Sequence, residues 1–402
     1  MAKLSMLVTL GLLVWMVWPE FDRLLPCPDP QGANPLKQPE CFLVPTYELA
    51  RARFREAAVK AGAKLDELLL PCGYTIDVAT LPGADDSKLL LHISGTHGVE
   101  GFVGSAIQTG YLTWLAMQNK TSPSLRKRSA IFVHGLNAFG MANWRRVNEN
   151  NVDLNRNGHA TQADLDEVLS RDPNIAGYET WNDVLNPQHA PRFILDDLVI
   201  ALNFAKGIMF SGMSDMKRAI VTGTSTRPKG YQFVGREVQP SHLLLRDYLT
   251  RNSFLERIRD LVLIDVHTGL GPIGNDTMMI SDNLEGCERM FGLGGSKLLD
   301  KELEWKPNVG CELQSEKLGE GRNAAAAGYD LTKGMNHMTY PKLFPNLKSS
   351  VSVTQEFGTF IAPIIVGFFP RMNEYQLTNS HPRVIELLRR TRPFITGHMS
   401  KR

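Results

Sequence analysis

Residues 89–101, "LLLHISGTHGVEG", end an apolar run of strand length in a cluster of glycines that carries a histidine and a glutamate three positions apart, His97 and Glu100. If the strand stops before His97 and a helix starts near Glu100, the two Cβ atoms lie about 5–6 Å apart, so both side chains reach one ion. A catalytic zinc site takes three protein ligands, commonly two histidines and a glutamate, and keeps a position open for water. The third candidate is His267, which closes the apolar run "LVLIDVHTGLG" at 261–271. Asp265, two residues earlier, projects to the same face of that strand. Gly95, Gly98 and Gly101 around the first pair, and Gly269 and Gly271 after His267, permit tight backbone turns beside a ligand. A histidine and a glutamate at this spacing also occur by chance, so the pair alone carries little weight.

Further along the chain come "AIFVHGLN" (130–137) and "SVTQEFGT" (352–359), which, with "KLLLHIS" (88–94) and the run ending at His267, read as buried strands. Residues 45–68, before these runs, read as one amphipathic helix, and 100–119, between two of them, as another. Alternating strands and helices predict an α/β fold with a mostly parallel central sheet flanked by helices. In such sheets the chemistry sits at the carboxyl edge of the strands, where His97, Glu100, His267 and Glu356 all fall. No repeat or strong linker interrupts 45–395. The expected organisation is a leader at 1–24, a Pro-rich segment at 25–44 and one domain at 45–402 with an insertion at about 158–260.

The 402 residues are 43% hydrophobic, enough for a sizeable core. With 44 Lys+Arg against 42 Asp+Glu, the net charge of +2 offers no field for nucleic acid, so a small partner is expected. Lys3, then an uncharged stretch from Leu4 to Trp18, then Pro19, Glu20 and Asp22, reads as a secretory h-region, with a short signal anchor or a helix packed on the domain as alternatives. The expectation is a chain in the secretory pathway, secreted or held at a membrane only through this segment. Of the five cysteines, Cys27 with Cys41 and Cys287 with Cys311 would pair in an oxidising compartment and leave Cys72 unpaired; in a reducing one all five are buried thiols. The sequons at Asn119 and Asn275 fit secretion weakly.

Residues 143–158, "NWRRVNENNVDLNRNG", are rich in arginine and asparagine, side chains that hold carboxylates and stabilise oxyanions. In order, His-x-x-Glu, "WRR", "DLNRN", a strand-ending histidine and a strand-ending glutamate resemble the zinc carboxypeptidase family of the carboxypeptidase A type. The resemblance runs through most of 45–395 and is greatest to a poorly characterised branch; deacylases of N-acyl amino acids, of the succinylglutamate desuccinylase/aspartoacylase kind, share the core. It implies one Zn2+ held by His97, Glu100 and His267, with Asp153 orienting the first histidine. Arg145 would polarise the scissile carbonyl, with Arg146 competing for that role. Asn155 and Arg156 would hold the substrate carboxylate, and Glu356 would be the general base. For an active-site tyrosine, Tyr340 is the candidate, with Tyr329 and Tyr231 as alternatives.

Roughly 110 residues separate Arg156 from His267, about twice the gap in the digestive enzymes, which implies an insertion near the cleft. "GLGPIG" (269–274) lacks the following helix that a dinucleotide fingerprint needs, "GLGGSK" (292–297) lacks P-loop spacing, and the chain has no Gly-x-Ser-x-Gly elbow. His92, His134 and His242 read as core or surface histidines. Three functions follow: a zinc-dependent carboxypeptidase acting on small peptides or amino-acid conjugates, an N-acyl amino acid deacylase, or a binding module without turnover.

Overall fold

The computed structural model describes residues 39–44, 46–117, 123–186, 195–251, 254–269, 275–290, 308–314 and 329–357. The leader, Cys27, the Asn119 sequon, residues 270–274 and "GLGGSK" lie outside these.

Eight strands form one mixed sheet: β1 (Lys64–Leu69), β2 (Thr75–Leu81), β3 (Lys88–Ile93), β4 (Ser129–His134), β5 (Asp260–Thr268), β6 (Asn275–Ile280), β7 (Asn308–Leu313) and β8 (Ser349–Phe357), in the order β1-β2-β4-β3-β5-β8-β6-β7. The central four, β4, β3, β5 and β8, run parallel, and antiparallel pairs join them to the flanks through β2 and β6. The four apolar runs expected to be strands are these central ones. β3, β4 and β5 are mostly apolar and buried on both faces, which makes them readable; β8 instead alternates, with Val351 and Val353 buried.

Helices α1 (Tyr47–Lys60) and α2 (Gly101–Met117) cover one face. Phe54, Ala58, Leu112 and Leu115 pack there on Ala79, Leu81 and Phe132. On the other face Leu245 and Leu249, from the helix Pro240–Thr250, join Leu89, Leu91, Leu261 and Leu263.

The helix expected over 45–68 is shorter. It ends at Lys60, the chain turns at Gly62 with φ of 76°, and Lys64–Leu69 pair antiparallel with β2. "KLDELL" keeps a helical composition, but its backbone groups are satisfied by Thr75–Leu81, a partner that no local pattern reveals. After "GLGPIG" the chain enters β6 and not a helix. Cys287, in the helix Leu284–Met290, is disulfide-bonded to Cys311 on β7, and Cys72 is a free thiol. Cys41 is also disulfide-bonded, while its expected partner Cys27 lies outside the described residues. Among the described residues no helix is long and apolar enough to cross a membrane.

Candidate metal centre

The ends of β3, β4, β5 and β8 converge at one edge of the sheet, and the candidate residues lie in the segments that leave them. After β3, Gly98–Glu100 form a 3-10 turn that leads into α2. That turn docks backbone to backbone on the segment after β4: Gly98 N donates to Arg146 O (3.2 Å) and Val99 N to Arg145 O (3.1 Å). A Cβ at Gly98 would overlap the backbone of Gly140 and Met141, so a glycine is required at this approach.

His97, Glu100 and His267 meet here, all buried, with one ligand atom from each within 4.8 Å of the others. His97 Nδ1 is 2.9 Å from Glu100 Oε1 and 3.0 Å from His267 Nδ1; His267 Nδ1 is 3.2 Å from Glu100 Oε2. Atoms bound at about 2.0–2.1 Å to a tetrahedral zinc ion stand about 3.3 Å apart, so these spacings fit one cation. Two imidazole nitrogens 3.0 Å apart need a positive centre between them, a proton or a metal ion.

The outer faces of both rings are held by carboxylates. His97 Nε2 is 3.1 Å from Asp153 Oδ1, and His267 Nε2 is 2.9 Å from Asp265 Oδ2. A proton on each Nε2, donated to its carboxylate, leaves the Nδ1 lone pairs turned inward, the arrangement that orients metal-binding histidines. Asp153 also receives Arg146 Nε (2.9 Å) and Asn155 N (2.8 Å). Burial would raise the Asp153 pKa, but Arg146 and His97 outweigh it and hold the carboxyl well below its ordinary range. Glu100 is likewise lowered: burial opposes ionisation, and His97 and His267 more than compensate. Burial would lower the His267 pKa, yet Asp265 and Glu100 drive it well above the ordinary value. This region is built to hold positive charge.

Glu356 is the register partner of His267 across the parallel β5–β8 pair, so it shares the face of the cluster. It is buried, with Oε1 beside Gly269. The two adjacent arginines diverge. Arg146 Nη1 reaches Glu100 Oε1 at 3.3 Å while its Nε holds Asp153; Arg145 Nη2 donates to Asn151 Oδ1 (3.3 Å) and its guanidinium lies over Phe139, 5.6 Å from the ring centroid. Trp144, just before them, has φ of 55°, and this left-handed step precedes the divergence. The structure therefore brings Arg146 to the cluster.

Asn155 Oδ1 accepts from Asn336 N at 3.2 Å. Arg156 is buried, donating from Nε to Val221 O (2.6 Å), from Nη1 to Asn155 O (2.8 Å) and from Nη2 to Gln232 Oε1 (3.2 Å), under the ring of Tyr329 at 5.9 Å. Tyr340 stands apart from the arginines, its hydroxyl 3.0 Å from His242 Nδ1 in the core. Of the alternatives, Tyr329 covers Arg156, and Tyr231 lies 6.0 Å from Arg146.

The segment between Arg156 and the helix Pro240–Thr250 supplies Tyr231 and Gln232. Its helices Tyr178–Leu185 and Met213–Thr222 bury Trp181, Tyr178, Ile220 and Tyr231 against Val99, the neighbour of Glu100. Gln232 has φ of 56°, an unfavourable backbone for its type, and its amide bonds both Arg156 and the Tyr231 hydroxyl. Sequence reading missed Gln232, Thr96 and Asn336; only Asp265 had left a signal, through the two-residue period of its strand.

The family described as "Protein of unknown function (DUF2817)" matches residues 43–367. The chain belongs to that family. No curated protein matches it significantly. Among solved structures, this family member is similar to bovine thrombin-activatable fibrinolysis inhibitor in complex with tick carboxypeptidase inhibitor (9% identity, 87% of this chain and 97% of that one, TM-score 0.43). It is also similar to carboxypeptidase A from Helicoverpa armigera (13%, 85% and 73%, 0.42) and a metallo-carboxypeptidase from Burkholderia cenocepacia (11%, 87% and 67%, 0.40).

Proposed function

We propose that this protein is a zinc-dependent hydrolase that cleaves an amide bond next to a free carboxylate in a small peptide or amino-acid conjugate. The observation that carries this reading is the convergence of His97, Glu100 and His267 at one strand edge, with Glu356 in register beside them. The charge balance supports a divalent ion. Glu100, Asp153, Asp265 and Glu356 bring four carboxylates into a buried site, with Arg146 paired to Glu100 and Asp153. Zinc suits two imidazoles and a carboxylate better than calcium or magnesium, which prefer all-oxygen sets.

When bound, the ion would activate a water and polarise the scissile carbonyl. Glu356 takes the proton of the attacking water and hands it to the leaving nitrogen. Arg146 donates to the oxygen that gains charge. Arg156 keeps N–H groups beyond the three it spends on Val221, Asn155 and Gln232, and it holds the substrate carboxylate together with the Asn155 amide. Asp153 and Asp265 keep the two rings in the tautomer that presents Nδ1.

Tyr231 and Gln232 favour the deacylase form of this reading. They brace Arg146 and Arg156 from the segment before the helix Pro240–Thr250, close to where the substrate carboxylate would sit. The chain works in the secretory pathway, in keeping with its apolar N-terminal stretch and the Cys287–Cys311 bond.

Metal content of purified protein tests the proposal, with His97→Ala and Glu356→Gln alongside. His97→Ala is expected to lose zinc, whereas Glu356→Gln keeps zinc and loses about 10²–10⁴-fold in kcat on a carboxylate-bearing amide. Full zinc content in His97→Ala contradicts the ligand set. Dipeptides and N-acyl amino acids of increasing acyl length then separate peptidase from deacylase.

A further inference from the structure

Asn336 touches three separate segments of the site. It follows Met335 at the start of the short helix Asn336–Thr339, and its side chain is fully buried. Both amide hydrogens are used: Nδ2 lies 3.0 Å from Asp265 Oδ2 and 3.0 Å from Thr96 Oγ1. Thr96 in turn donates to Asp265 Oδ1 at 2.7 Å. Asp265 thus accepts from Thr96 and Asn336 as well as from His267. The backbone N–H of Asn336 meanwhile goes to Asn155 Oδ1, which leaves the Asn155 amide nitrogen as the group able to donate to a ligand.

Asn336 Oδ1 has no hydrogen-bond partner although it is buried. A buried carbonyl without a partner is costly. An amide that served only to tie loops together would gain by satisfying both its ends. This one is oriented for its donors.

We propose that Asn336 is a positioning residue for the metal ligand His267, acting through Asp265 with Thr96 as the second support. The inference rests on the zinc-hydrolase reading. With three donors on its two oxygens, the Asp265 carboxylate cannot rotate without breaking a bond, so it keeps its oxygen aimed at His267 Nε2 and leaves Nδ1 turned to the metal side. The side chain of Asn336 serves the metal ligand, and its backbone serves the carboxylate-binding amide.

The test is zinc affinity of the full chain, measured by chelator competition, for wild type, Asn336→Leu, Thr96→Val and Thr96→Ser. Asn336→Leu keeps the volume and the backbone N–H but removes both donors. Expected are a 10–100-fold weaker zinc affinity in Asn336→Leu, the usual size of an outer-shell effect, a smaller loss in Thr96→Val, and wild-type affinity in Thr96→Ser. KM for a carboxylate-bearing substrate should change less than twofold in Asn336→Leu, because the contact to Asn155 persists. Wild-type zinc affinity in Asn336→Leu overturns the proposal, and so does a weakening matched by an equal loss of thermal stability in the metal-free chain. If wild type itself takes up no zinc, the hydrolase reading fails; the tautomer of His267, read by nitrogen NMR in wild type and Asn336→Leu, then decides the positioning claim. Loss of the Nε2–H form in the variant supports it, and an unchanged tautomer overturns it.

Discussion

Arg145 and Arg146 are adjacent and chemically identical, yet they meet different surroundings. Arg146 is held between Asp153 and Glu100, while Arg145 lies on Phe139 and bonds Asn151. Arg146→Ala should lower kcat by about 10²–10³, the cost of removing a donor from a developing oxyanion. Arg145→Ala should leave kcat within a few-fold and lower the melting temperature instead. Steady-state kinetics beside thermal melts separate them, and equal kcat losses would refute the assignment. The resemblance put Arg145 first because it follows the tryptophan, whereas in the structure Arg146 pairs with Glu100 and Asp153. The ligands themselves were legible, since ionisable groups at the ends of apolar strands have few other reasons to be there. Asn336 was not. It lies in "GMNHMT", which has no period and no motif, and its importance comes from contacts with Thr96 and Asp265, 240 and 71 residues away.

The metal turn depends on how closely two pieces of backbone approach. Gly98 packs on Gly140 and Met141, and the backbone bonds to Arg145 and Arg146 hold that distance. Gly98→Ala should push the turn from its seat, weakening zinc affinity at least 10-fold, with far-UV circular dichroism unchanged; zinc binding at wild-type strength would show that the turn tolerates displacement. At the far edge of the sheet, the disulfide between Cys287 and Cys311 closes a 24-residue separation. Replacing both with serine should cost about 3 kcal/mol of stability and leave zinc content intact, because the bond lies on β7, away from β3 and β5. Central strands β3, β4 and β5 could be read from their apolar runs, and β8 from the alternation of Val351 and Val353. The flanking β1, β2, β6 and β7 could not, since their pairing is fixed by neighbours and their own patterns are mixed.

Across the described residues, four of the buried histidines outside the ligand set, His92, His134, His242 and His337, remain neutral because burial opposes their charge. Their pKa values fall to about 4, about 3, about 4 and about 4. The unfolded chain binds protons at these rings below about pH 6.5, while the folded chain does not until about pH 4. Stability is therefore undiminished above pH 6.5 and declines as the pH falls toward 4, by up to about 1.4 kcal/mol per pH unit for each ring. Denaturant titrations at pH 7.5, 6 and 5 should show this decline, and His337→Asn should make it shallower. A pH-independent midpoint would mean that these rings are protonated in the folded chain. The segment between Arg156 and the helix Pro240–Thr250 has a second consequence at this scale, because it sets Tyr231 beside Arg146 and Gln232 on Arg156.

The sequence by itself determined the parallel core, the strand ends and the kinds of side chain placed there, because apolar periodicity and the cost of burying a polar group act locally along the chain. Which arginine faces the ligands, which imidazole nitrogen is presented, and that one asparagine steadies Asp265 were decided only by tertiary structure. Those outcomes depend mostly on bonds between distant segments, 46 residues for Arg146 with Glu100, 56 for His97 with Asp153 and 240 for Asn336 with Thr96; only the pairing of Asp265 with His267 lies within one segment.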